Sequence, residues 1–156
     1  MYAAQLRRPK IIYSHETALF LHGLTDRDPI NYSVTVPTGY NATRLREDGF
    51  KIFTIKRELH DVGVTRLSTM FGHEVVVYGL ERTVCDCLRS RNQMEIAVVI
   101  DAIKRYARRK EKNLITLMQI AETFTVLADQ KFTKISELFL PNTGRRLLLE
   151  KEGGAE

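Results

Sequence analysis

The hydrophobic pattern changes period at Gly79, and that change constrains the fold more than any other feature of the chain. Before it, apolar residues fall into short runs near period two, as in Tyr32-Ser33-Val34-Thr35-Val36, which alternates and stops at Pro37 like a half-buried strand. Phe50 to Lys56 carries apolar residues in both phases, the pattern of a strand covered on both faces. Val64 to Met70 and His73 to Tyr78 are joined through Phe71-Gly72 and read as a hairpin. After Gly79 the spacing is helical. Leu80, Val84, Cys87 and Leu88 stripe one helix ending near Asn92, and Ile96, Val99, Ile100, Ile103 and Tyr106 stripe a second. A third, capped by Asn113, carries Leu114, Leu117, Met118 and Ala121, and Thr133 to Leu140 is a short fourth, stopped by Pro141. Ahead of the strands, Ser14 caps a two-turn helix that Gly23 ends. Strands first and helices second imply an α+β domain over residues 1–140, with helices packed on a small, mostly antiparallel sheet, and a tail over 141–156.

Composition supports a packed core. The chain has 156 residues, 44% hydrophobic and 28% charged, enough for one domain that buries its own interior. No apolar run approaches a membrane span and Met1 to Lys10 is no signal peptide, so a cytoplasmic location is expected. Cys85 and Cys87 stand two apart on a helix, with side chains about 200° apart, and are expected to be reduced, structural thiols.

No catalytic constellation emerges, and neither an enzymatic activity nor a cofactor is expected. His15 and His22 share a helix face, but about 10 Å of rise separates them, too far to chelate one ion. His60 and His73 read as surface histidines. Glu58, Asp61 and Glu74 raise a metal-dependent nuclease, yet Glu74 is followed by three valines where a lysine would position water. Single glycines form no phosphate loop, and neither Ser14 nor Ser90 sits in a nucleophile elbow. Arg82 and Asp86 are four apart, either within a solvated polar face or as a pair held between helix and sheet.

The 24 Lys and Arg against 19 Asp and Glu leave a net charge of +5, unevenly distributed. Lys104, Arg105, Arg108, Arg109, Lys110 and Lys112 put six cations into nine residues, with Lys104, Arg105, Arg108 and Lys112 on one helical face opposite the apolar stripe. This is the candidate nucleic-acid surface. With no exposed aromatics interleaved, its contacts would go to a duplex backbone and not to bases.

Four stretches, in unchanged order, resemble one family. They are Ser14-His15-Glu16-Thr17-Ala18-Leu19 continuing to Leu24-Thr25-Asp26, Val36-Pro37-Thr38-Gly39-Tyr40-Asn41, Gly63-Val64-Thr65 through Phe71-Gly72, and Val77-Tyr78 with Glu81-Arg82-Thr83-Val84-Cys85-Asp86 and Leu88-Arg89-Ser90-Arg91. Together they resemble the antitoxin domain of the AbiEi family, the antitoxin half of bacterial type IV toxin-antitoxin systems, over about residues 10–128. The resemblance implies a cytoplasmic, non-enzymatic regulator of an abortive-infection (phage defence) pair. Its functional partner would be a nucleotidyltransferase-like toxin, opposed without a stable complex. It also implies an amino-terminal winged helix-turn-helix that binds operator DNA and represses the operon. This chain opens near where the second domain of such proteins begins, so it is expected to be an excised carboxy-terminal domain or a short natural form, binding DNA weakly by itself. The alternative is a protein-interaction module that binds its toxin or a second copy of itself.

Overall fold

The computed structural model describes residues 1–128, so the predicted Thr133 to Leu140 helix and the tail lie outside the described residues. Helices α1 (Tyr2–Arg7), α2 (His15–Leu21), α3 (Thr43–Glu47) and α4 (Arg57–His60) alternate with strands β1 (Ile12–Tyr13), β2 (Ser33–Pro37), β3 (Lys51–Ile55), β4 (Val64–Ser68) and β5 (Glu74–Tyr78). Helices α5 (Leu80–Arg89), α6 (Ile96–Arg108) and α7 (Leu114–Ala128) follow, with a 3₁₀ turn at Arg91–Gln93. The fold is α+β, and among the described residues all five strands precede Gly79. No helix among the described residues is long and apolar enough to cross a membrane.

The sheet runs β3-β2-β1-β5-β4 and is mixed. The expected hairpin pairs β4 with β5 antiparallel, Val64 opposite Tyr78 through Ser68 opposite Glu74. β1 is antiparallel to β2 but parallel to β5, and β2 is parallel to β3. The antiparallel majority expected from the sequence is therefore corrected to an even division of pairings. The physical reason lies in α3, which crosses between β2 and β3 and returns the chain in the same direction.

β1, the central strand, has only two residues. The Gln5 side chain extends its pairing: Nε2 donates to the Val76 carbonyl at 2.6 Å, and the Val76 N–H donates to Gln5 Oε1 at 2.8 Å. An amide side chain thus satisfies the backbone that β1 is too short to reach.

β2 is buried along Ser33 to Val36, not half-buried as its alternation suggested. Val34 and Val36 enter an apolar cluster with Ile11, Tyr13, Leu45, Val75 and Val77, while Ser33 and Thr35 are buried with hydrogen-bond partners. β3 is an edge strand with Thr54 exposed, so its expected double coverage is also corrected. A second cluster joins α2, α5, α6 and α7 through Leu19, Val84, Leu88, Val99, Tyr106 and Phe124. α6 buries Val99, Ala102 and Tyr106, which leaves Ile96 and Ile100 of the predicted stripe exposed. α7 buries Leu117, Ile120 and Phe124 and exposes Leu114 and Met118.

Candidate nucleic-acid interface

α6 ends at Arg108, and Arg109 turns to extended backbone, so Lys110 and Lys112 belong to the loop before α7 and not to a helical face. The six cations then divide. Arg105 donates from Nε to Asp101 at 2.9 Å and from Nη2 to Asp26 at 2.7 Å. That hydrogen bond and charge hold the Asp26 carboxyl below its ordinary range. Arg109 bonds Glu111 at 3.3 Å and the His22 carbonyl, tying the loop to the end of α2. Lys112 donates to the Arg109 carbonyl at 3.1 Å. Lys104, Arg108 and Lys110 are exposed. Half of the predicted surface therefore has intramolecular work, and the charge it can offer to phosphates is correspondingly smaller.

The histidines are mostly interior. His15 is fully buried at φ +48°, a left-handed conformation that costs a β-carbon-bearing residue about 1 to 3 kcal/mol. Its surroundings over-determine it. Thr35 Oγ1 donates to Ser14 Oγ at 2.8 Å, Ser14 Oγ lies 2.9 Å from His15 Nδ1, and His15 Nε2 lies 3.0 Å from Ser90 Oγ. The ring stacks on Phe53 with centroids 3.5 Å apart. Burial, then the positive field of Arg89, Lys51 and Arg82, pushes its pKa well below the ordinary histidine value. Ser14 thus occupies the N-cap position but gives its hydroxyl to this network, and no side-chain cap bond forms. Nearby, Glu16 accepts from Ser33 Oγ at 2.9 Å and from Lys51 Nζ at 2.7 Å.

His22 donates from Nε2 to the Tyr78 carbonyl at 2.7 Å. His60 is buried, which corrects its reading as a surface residue: α4 folds it under β2, and the Tyr78 hydroxyl donates to its carbonyl at 2.8 Å. His73 is exposed and stacks on Tyr2. Among the described residues no three His, Cys, Asp or Glu side chains are grouped to hold a metal ion.

Arg82 and Asp86 form a buried pair, with 0% and 1% of their side chains exposed and Nε 2.9 Å from Oδ2. Arg82 Nη1 also donates to the carbonyls of Leu59 and Val62, at 2.8 and 2.5 Å. The guanidinium carbon lies 3.9 Å from the Tyr78 ring centroid and 4.5 Å from that of Phe124. The pair therefore joins α5 to the turn before β4. Gly63 makes room for it, since a β-carbon there would lie 2.8 Å from Arg82 Cβ.

A second basic surface leaves no mark in any one window of the sequence. Two depressions of about 550 and 700 Å³ share Tyr40 and Asn41 as a common wall. Lys10 and Arg57 line the first; Arg7, Arg8 and Arg44 line the second. These cations come from three separate segments, so no local charge run marks them. No protein-family model matches the chain, and no curated protein matches it.

Proposed function

We propose that the chain is the effector domain of an AbiEi-like type IV antitoxin, a cytoplasmic protein that opposes a nucleotidyltransferase-like toxin without catalysis and without a stable complex. One observation carries this reading. Three of the four stretches that resemble the family touch one another across the fold: Ser14 and His15 reach Ser90, His22 reaches Tyr78, and Gly63 packs on Arg82. Residues that specify a fold in this way are those a shared domain would retain in order. In a full-length protein with a winged helix, the exposed Lys104, Arg108 and Lys110 would lie against the operator backbone and add affinity without sequence information. Co-expression with a nucleotidyltransferase-like toxin of this kind tests the proposal. Restored growth is expected, whereas persistent arrest with soluble, folded domain present would count against it.

The exposed Ile96 and Ile100 on α6 and Ile115 and Met118 on α7 favour a second reading, a module that binds the toxin or a second copy directly. Size-exclusion chromatography with light scattering, with and without toxin, separates the two. A stoichiometric complex supports the module.

A further inference from the structure

We infer that the two depressions walled by Tyr40 and Asn41 form one binding furrow for a single-stranded nucleic acid, held by its phosphates. This does not rest on the antitoxin reading. The furrow lies among α1, the turn after β2, α3 and α4, and its cationic lining is independent of the α6 run.

Three observations support it. The first is the sign of the walls: five cations face two acids, Glu47 and Asp61. Asp61 is turned toward His60, with its carboxylate 3.3 Å from Nδ1. The second is the availability of the charge. Arg7, Lys10, Arg44 and Arg57 are exposed. Arg8 is engaged by Asp48 at 2.6 Å, and Arg57 spends one long contact, 3.4 Å, on the Thr38 carbonyl. This contrasts with the α6 run, where Arg105 and Arg109 fold back onto acids. The third is shape. Each depression falls within the roughly 300 to 1,000 Å³ that small-molecule-sized groups occupy, which is room for a nucleotide. Tyr40 supplies an aromatic wall to both depressions, and Asn41 and Thr43 add polar groups. Asn41 Oδ1 is anchored by the Thr43 N–H at 3.1 Å, which fixes the wall. A cationic groove with an aromatic side chain is the arrangement that tracks single strands with little sequence preference.

The test is fluorescence anisotropy of the full chain with labelled oligo(dT) and oligo(U) of about 12 nucleotides, a matching duplex, and inorganic phosphate and pyrophosphate as competitors. Neutralising about three phosphates gives a log-log salt slope near −2, or about 20-fold weaker binding between about 50 and 200 mM salt. Arg44→Glu with Arg57→Glu should weaken single-strand binding at least 10-fold, and Arg44→Lys with Arg57→Lys should largely retain it. Both positions are exposed, so thermal melting of each variant should match the parent. Lys104→Glu with Arg108→Glu should change single-strand binding less than twofold. The inference is overturned if the α6 variant loses as much as the furrow variant, if the duplex binds more tightly than the strands, if phosphate or pyrophosphate binds while the oligonucleotides do not, or if nothing binds at low salt.

Discussion

Arg82→Met keeps an apolar stem of similar length but removes the guanidinium, and with it the ion pair to Asp86, the bonds to two carbonyls and the stacking on Tyr78 and Phe124. Asp86, 1% exposed, keeps only Arg89 at 3.3 Å, and the Leu59 and Val62 carbonyls lose their shared donor. Breaking a buried ion pair from one side costs about 3 to 5 kcal/mol, because the surviving charge stays desolvated. The Leu59 carbonyl still accepts the Val62 N–H at 3.4 Å, so the carbonyls add little and the stranded Asp86 carboxylate sets the cost. For a chain of this size the loss lowers the melting temperature by roughly 6 to 20 °C, a large share of a typical stability. Urea unfolding followed by circular dichroism measures it. Arg82→Met with Asp86→Leu should recover part of the loss, because the stranded carboxylate is gone while the Val62 carbonyl still lacks the Arg82 donor. A single-variant cost below about 1 kcal/mol, the value of an exposed pair, would refute the reasoning. A double variant no more stable than the single one would do the same.

Mild acid should destabilise the fold through two buried histidines. The folded-state pKa values of His15 and His22 are both depressed, chiefly by burial, whereas the unfolded rings titrate near 6.5. Below about pH 6.5 the unfolded chain takes up protons that the folded chain refuses, so stability present at neutral pH is lost by up to about 1.4 kcal/mol per pH unit per ring. Urea midpoints between pH 7.5 and 5.5 should therefore fall, and His15→Gln should flatten the trend; an unchanged slope in that variant would remove His15 as its cause. Burial pushes the Cys85 thiol up to about 12 and Cys87 well above its ordinary value, so neither should react with a disulfide reagent at pH 8 until the chain is unfolded. Stoichiometric labelling of the native protein would contradict that burial. Gly63→Ala combines φ +73° with a β-carbon 2.8 Å from Arg82, whereas Gly72 at φ +75° has open space around it. The first should cost at least about 1 kcal/mol more than Gly72→Ala in urea unfolding, and equal costs would mean that only the backbone conformation matters.

What could be read from the chain follows from the range of the forces involved. The β4–β5 hairpin was legible because period-two runs flank a tight glycine turn, and both its partners are local. β1 was not, since Ile12 and Tyr13 make no run and their place in the sheet depends on Val34, Thr35 and Val77, far along the chain. Arg82 and Asp86 announced a pair by their spacing, yet their burial came from Leu59, Val62 and Gly63, which carry no visible signal for it. The cationic run shows the same effect in electrostatics. Six positive charges in nine residues suggested a free surface, but Asp26, reached across the fold, and Asp101 neutralise Arg105, and the His22 carbonyl takes Arg109. Meanwhile Arg7, Lys10, Arg44 and Arg57, sparse in sequence, converge on one furrow. A phosphate responds to potential in space, which falls off over about a Debye length near 10 Å, irrespective of chain separation. Charge density along the sequence measures that potential only where the chain stays extended or helical and finds no acid to fold against.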